Sequence, residues 1–209
     1  MVAYWPHEPK VAGPIPVGAT NAQFFISNCI MVTFPSLLVK AGRFYLILDY
    51  MEATFYMGID PGTNNGTGKC GGIAVLNNDG TLCRLDKMPE TPQDILDYLK
   101  NWSGCHIVCV LEDVGHGIPG QSSSATAKFA RHNGHLEMAL LALGMTTEKV
   151  TPQKWQKIYQ LGSSKGVGKA VWKNKLKAKA QQLFPQAGKS LTLNTCDALL
   201  IAEYGRRTL

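Results

Sequence analysis

The feature that most constrains this chain is a pair of short apolar segments joined by a glycine-rich turn that opens on an acid. Phe55–Ile59 and Gly71–Leu76 are each of strand length, and the sequence between them is D-P-G-T-N-N-G-T-G-K-C. Two such runs separated by Pro and Gly predict a β-hairpin. Asp60 then ends a buried strand beside flexible backbone. That position suits a metal ligand or a turn-capping carboxylate, and the choice depends on whether other acids return to the same place.

The order of the remaining segments predicts an α/β fold. His106–Leu111 is a continuous apolar run, typical of a strand that is buried on both faces, and it ends on Glu112. Pro92–Trp102 and about 124–143 carry apolar residues at helical spacing, and Thr195–Tyr204 predicts a closing apolar helix. Further predicted elements are strands at Thr81–Lys87 and Glu148–Thr151 and helices at Pro152–Tyr159 and Lys169–Leu183. Strands that alternate with helices in this way predict a mixed sheet.

Three acids, Asp60, Glu112 and Asp197, each stand at the edge of an apolar element. Adjacent parallel strands would bring Asp60 and Glu112 to the same end of the sheet, and Asp197 joins them if its helix packs there. Clustered carboxylates repel one another, and a bound divalent cation removes that repulsion. Hard oxygen ligands suit Mg²⁺ or Mn²⁺. Two such ions can stabilise the attacking and leaving oxygens in phosphodiester cleavage. Taken singly, Glu112 and Asp197 are also compatible with solvated positions at the rim.

A basic segment suggests an anionic partner. The chain has a net charge of +6, and residues 149–196 contain ten lysines and no Asp or Glu. Trp155, Tyr159 and Trp172 are interspersed among them. A solvated helical face usually mixes charges of both signs, whereas a block of one sign with aromatics fits contact with a nucleic-acid backbone. The candidate nucleic-acid-binding residues are Lys165, Lys169, Lys173, Lys175 and Lys177.

The first fifty residues differ from the rest of the chain. Residues 1–50 carry no motif, and we expect them to be an extension that is dispensable for the fold, upstream of a start at Met51 or Met57. The apolar stretch Phe24–Val39 is short for a membrane span and is interrupted by Pro35. None of the six cysteines forms a C-x-x-C pair, which favours reduced thiols in a cytoplasmic protein.

Four motifs in this order, G-I-D-P-G, G-G-I-A-V-L, V-L-E-D-V and C-D-A-L-L-I-A-E-Y-G-R-R, resemble the RuvC-type Holliday junction resolvases of the RNase H-like superfamily. The last motif is most similar to the phage and organellar relatives. The resemblance spans about Phe55–Arg207 and implies an RNase H-like domain at 51–209 with a five-stranded mixed sheet flanked by helices. It further implies a homodimer that cleaves four-way DNA junctions with two Mg²⁺ ions per site, Mn²⁺ substituting, in the cytoplasm of a bacterial or phage-infected cell. Carried over to this chain, the metal ligands and catalytic residues are Asp60, Glu112 and Asp197.

The chain departs from the pattern of the bacterial resolvases at two places. Those enzymes have a second acid three residues before the terminal Asp, and here that position is Asn194, an oxygen ligand without charge. They also place an aromatic residue shortly after the strand-end Glu, to wedge the junction apart. Here Asp113, Val114 and Gly115 follow, so we expect strand separation either to use other residues, such as Ile118 or Phe129, or to be weaker.

Two other functions compete with this interpretation. The neutral Asn194 is compatible with a module that binds branched DNA and cleaves it weakly or not at all. The segment G-I-D-P-G-T also resembles the phosphate-binding hairpin of actin-like and sugar-kinase ATPases. Those proteins need two such domains, and the chain after Met57 has room for one. Incubation with a four-way junction and Mg²⁺, and separately with ATP, distinguishes the three.

Overall fold

The computed structural model describes residues 54–62, 70–115 and 122–209, together with four short strands nearer the amino terminus. The contacts divide the chain into two units, Met1–Tyr50 and Met51–Leu209. The described residues of the first unit form two antiparallel strand pairs: β1 (Gln23–Ile26) with β2 (Ile30–Thr33), and β3 (Val39–Lys40) with β4 (Arg43–Phe44). The role of this unit stays a prediction.

The second unit is built on a five-stranded mixed sheet. Its strands are β5 (Phe55–Asp60), β6 (Gly72–Asn77), β7 (Leu82–Lys87), β8 (Ile107–Glu112) and β9 (Thr146–Val150). Their order is β7-β6-β5-β8-β9. The first three form an antiparallel meander, while β8 and β9 continue the sheet in parallel with β5. The predicted hairpin and the predicted α/β fold with a mixed sheet are both confirmed.

Within the described residues, five α-helices flank this sheet. They are α1 (Pro92–Lys100), α2 (Ser123–Ala142), α3 (Pro152–Lys157), α4 (Lys169–Leu183) and α5 (Cys196–Thr208), with a 3₁₀ segment at Pro185–Ser190. Helix α5 packs directly on β5, β6 and β8, and α4 packs on α5, while α1 packs on α2. In the part of the chain that the structure describes, no helix is long and apolar enough to cross a bilayer.

A helix and a strand have bounds that differ from the predicted ones, each for a physical reason. Helix α1 starts at Pro92 as predicted, with a Thr91 capping box, but it ends at Lys100. The chain leaves the helix there so that Trp102, 3% exposed, packs edge-to-face on Phe55 at a centroid distance of 5.7 Å. Strand β9 starts at Thr146, earlier than predicted, because Gly144 at φ 65° turns the chain back directly after α2.

Candidate metal centre and active site

Two carboxylates meet at one edge of the sheet because the strands that carry them are parallel neighbours. β5 ends at Asp60 and β8 ends at Glu112, and their register pairs Ile59 with Leu111, the residues immediately before the two acids. The strands are held in place by full burial, with Met57 and Ile59 completely inaccessible to solvent. The predicted juxtaposition of Asp60 with Glu112 therefore follows from the register of the central sheet.

Helix α5 brings the third acid to the same edge. Its close approach depends on Gly58 in β5, because a Cβ atom there would collide with the backbone of α5 at Ala198 and Ala202. Asp197 lies in the first turn of α5 and is 8% exposed. A carboxylate in that turn interacts favourably with the helix dipole. The structure thus brings together the three acids that the sequence selected.

The acid cluster, Asp60, Glu112 and Asp197, carries more negative than positive charge. Burial and then the charge of Asp197 raise the pKa of Asp60 to about 7. Burial and then the charge of Asp60 raise the pKa of Glu112 to about 8. The ammonium of Lys173 acts in the opposite direction on both carboxyls. Carboxylates perturbed by burial and by each other are common at functional sites, and a bound cation relieves both causes.

Lys173 belongs to this site, which the sequence did not indicate. Its ammonium donates a hydrogen bond to Oδ2 of Asp197, and its side chain is 32% exposed. Burial opposes the charged form, but Asp197 and then Asp60 outweigh that effect and raise the pKa of Lys173. The sequence placed Lys173 with the DNA-contacting lysines. In the structure this side chain is bound to a carboxylate of the acid cluster, and its contact with DNA stays a prediction.

Glu112 also has a partner that the sequence assigned elsewhere. The indole Nε1–H of Trp155 in α3 donates to Glu112 Oε1 at 2.8 Å, and Trp155 is fully buried. Tyr159 is 3% exposed, and its hydroxyl donates to the carbonyl of Leu200. Although the sequence intersperses these two aromatics among the lysines, both side chains lie in the core. The position of Trp155 could have been inferred from one feature. If the strand that ends at Val150 pairs with β8, the helix that follows it starts next to Glu112.

Asn194 lies in the turn that precedes α5 and is partly buried. Its Oδ1 accepts a hydrogen bond from the backbone N–H of Cys70 at 3.4 Å. Cys70 stands two residues before Gly72, which pairs with Asp60 across the hairpin. Asn194 is thus hydrogen-bonded to the segment that leads into β6, the strand that pairs with Asp60. The role of Asn194 as a metal ligand stays a prediction.

The donor set fits a hard divalent cation in its chemistry. Within the described residues, no three His, Cys, Asp or Glu side chains are grouped closely enough to hold a metal ion as they stand. The three acids supply oxygen ligands only, which is the preference of Mg²⁺ and Mn²⁺. Two of these acids, Asp60 and Glu112, have raised pKa values for reasons that a cation would remove. The residues therefore suit the cation, and among the described residues Lys173 is the lysine that pairs with one of these acids.

The exposed lysines lie on the loop and helix that follow α3. Lys165, Lys169 and Lys175 are exposed, and Lys177 is partly buried. Two other lysines of residues 149–196 form ion pairs with acids that lie outside this segment. These pairs are Lys149 with Glu137 at 2.9 Å and Lys154 with Glu148 at 3.7 Å. These two lysines of the segment are therefore paired with acids that lie outside it.

Of the two residues predicted to wedge the junction apart, the structure describes one. Ile118 lies outside the described residues. Phe129 is on α2, with its side chain partly buried. Strand separation by either residue stays a prediction.

Solved structures share this fold. A structure of RuvC from Thermus thermophilus matches with a TM-score of 0.51 at 15% identity, covering 72% of this chain and 92% of that one. A second, described as T. thermophilus RuvC in complex with Holliday junction substrate, matches with a TM-score of 0.50 at 14% identity, covering 72% and 91%. No protein-family model matches the sequence, and a search of curated proteins finds no relative. At these identities the likeness concerns the fold.

Proposed function

We propose that the protein is a metal-dependent endonuclease that cleaves phosphodiester bonds in branched DNA, with the four-way junction as substrate. The observation that carries this proposal is the meeting of Asp60, Glu112 and Asp197 at one sheet edge, where burial and mutual repulsion raise the pKa values of Asp60 and Glu112. The RNase H-like fold shared with T. thermophilus RuvC supports the same reaction class.

In this proposal the acid cluster holds the metal, and Asn194 adds a neutral oxygen. Divalent ions, when bound, stabilise the oxygens that attack and leave in phosphodiester cleavage. The protein's own contribution is positional. The strand register holds Asp60 beside Glu112, and the indole of Trp155 fixes one oxygen of Glu112. In this proposal the other Glu112 oxygen binds the cation.

The substrate class rests on the basic surface and on the structural neighbour. The exposed lysines provide phosphate contacts that position DNA without reading its sequence. They are Lys165, Lys169 and Lys175, with Lys177 partly buried beside them. One structural neighbour is described in complex with a Holliday junction substrate. We extend this to the present chain, and we propose a homodimer, since a four-way junction offers two equivalent strands to two equivalent sites. We further propose that it acts in the cytoplasm of a bacterial or phage-infected cell.

The test is cleavage of a labelled four-way junction in Mg²⁺. We expect Asp60→Asn, Glu112→Gln and Asp197→Asn each to abolish cleavage while junction binding in a gel-shift assay persists. The matched control is Asp97→Asn, an exposed acid on α1, which should cleave like the wild type. Cleavage retained by any of the three cluster variants would contradict the proposal. Hydrolysis of ATP without cleavage would favour the sugar-kinase-like alternative.

A second candidate is a junction-binding protein that does not cleave. The ion pair between Lys173 and Asp197 favours it, because a carboxylate already neutralised by an ammonium is a weaker metal ligand. Under this alternative the wild type binds the junction and leaves it intact at every Mg²⁺ and Mn²⁺ concentration.

A further inference from the structure

The contact between Lys173 and Asp197 is set by helix packing and is not a chance surface pair. Lys173, Leu176 and Ala180 stand at i, i+3 and i+7 on α4, and the last two are 1% and 0% exposed. Such positions share one helix face. That face packs on α5, which carries Asp197. Lys173 therefore lies one turn before Leu176 on the buried face of α4. Its ammonium group reaches the acid cluster from that face.

The charge balance of the cluster makes this ammonium important. Three carboxylates converge where, among the described residues, Lys173 is the lysine with an ion pair to them. The Asp197 side chain is 11% exposed, so water screens the pair only in part. Lys173 also interacts electrostatically with Asp60 and with Glu112. One ammonium thus acts electrostatically on all three acids.

We propose that Lys173 is a built-in counter-ion: it holds the metal-free acid cluster together and must release Asp197 when a divalent cation binds. This inference rests on the proposed function, because it assumes that the acid cluster is a metal site. Metal affinity is then the outcome of a competition between the cation and the ammonium. The ammonium released from Asp197 stays beside the site, where a DNA phosphate can take the place of the carboxylate as its partner.

The first experiment measures Mn²⁺ binding by isothermal titration calorimetry without DNA, together with thermal unfolding in EDTA. Lys173→Met keeps the apolar stem and removes the charge. We expect it to bind Mn²⁺ about fivefold more tightly, the order of effect expected when one partly exposed ion pair no longer competes, and to unfold at a lower temperature in EDTA. Lys173→Arg keeps the charge and should stay close to the wild type. Lys175→Met, on an exposed position of the same helix, should change neither quantity.

The second experiment uses the wild-type protein and so does not depend on the folding of a variant. Amine acylation is followed by mass spectrometry at each lysine, with EDTA or with saturating Mn²⁺. We expect Lys173 to react slowly in EDTA, where it is bonded to Asp197, and several-fold faster with Mn²⁺. Lys175 should react at the same rate in both.

The outcomes separate the two proposals. If Lys173→Met binds Mn²⁺ no more tightly than the wild type, or if Mn²⁺ leaves the reactivity of Lys173 unchanged while it binds, the counter-ion inference is overturned and the proposed nuclease stands. If neither the wild type nor Lys173→Met binds Mn²⁺ or Mg²⁺, the proposed metal centre fails, and the counter-ion inference fails with it.

Discussion

Replacing Glu112 by glutamine should stabilise the metal-free protein while it abolishes cleavage. Glu112 is 7% exposed, and burial followed by the charge of Asp60 raises its pKa to about 8. At pH 7 the folded protein therefore takes up a proton at Glu112 that the unfolded chain releases. Glutamine is neutral from the start, and its amide oxygen can still accept the indole N–H of Trp155. A site residue that is unfavourable for the fold is common where function requires a buried charge.

The size of the effect follows from the two proton affinities. The ordinary pKa of the glutamate side chain is 4.5, and in the folded protein it is about 8. Between these values the folded state binds more protons than the unfolded state, so the free energy of unfolding falls as the pH rises. At pH 7 the upper limit is about 3 kcal/mol. We expect about 2 kcal/mol, because Glu112 and Asp60 share their titration and the new amide must also be buried. That corresponds to a rise in Tm of roughly 4–8 °C.

The assay is thermal unfolding followed by circular dichroism in EDTA at pH 7 and pH 5. The gain in Tm should be large at pH 7 and small at pH 5, where the unfolded chain also keeps part of its protons. Glu148→Gln is the control, since Glu148 lies on β9 with its side chain 46% exposed, and it should change stability by less than about 0.5 kcal/mol. A lower Tm for Glu112→Gln at pH 7, or an equal gain at both pH values, would refute the reasoning.

Three further predictions concern packing, metal affinity and DNA contact. Gly58→Ala places a Cβ against the backbone of α5, so it should lower the free energy of unfolding by about 3 kcal/mol or more; an unchanged urea midpoint would show that α5 does not pack closely on β5. Asn194→Asp adds a charge, so the Mg²⁺ concentration that gives half-maximal nicking should fall; an unchanged value would place Asn194 outside the metal shell. Junction binding should weaken with salt at a slope in log K of about −0.9 per phosphate contact, and Lys165→Ala and Lys169→Ala should each reduce the slope by about 1; a flat salt dependence would contradict a lysine-based DNA surface.

The sheet and the acids could be predicted because local patterns fix them. An apolar run that ends on Asp60, a second that ends on Glu112, and a helix that starts near Asp197 suffice once β5 and β8 are taken as parallel neighbours. Each of those patterns lies within a few residues of the acid it positions. The hairpin turn and the buried central strands are likewise determined by short-range sequence signals.

The partners of the acids could not be predicted because they come from far along the chain. Trp155 reaches Glu112 across a separation of 43 residues, and Lys173 reaches Asp197 across 24. Both residues lie in a segment whose composition resembles a DNA-binding surface. Composition does not say which side of a helix faces the core, and here Leu176 and Ala180 turn the Lys173 side of α4 inward. The helix face, not the number of lysines, decides their roles.

The most direct test of the central claim is a crystal structure of the protein soaked in Mn²⁺, examined by anomalous diffraction. We expect anomalous density bounded by the carboxylates of Asp60, Glu112 and Asp197, with the ammonium of Lys173 no longer bonded to Asp197. Absence of that density at saturating Mn²⁺, with the ion pair between Lys173 and Asp197 intact, would contradict a metal-dependent nuclease centre at this edge of the sheet.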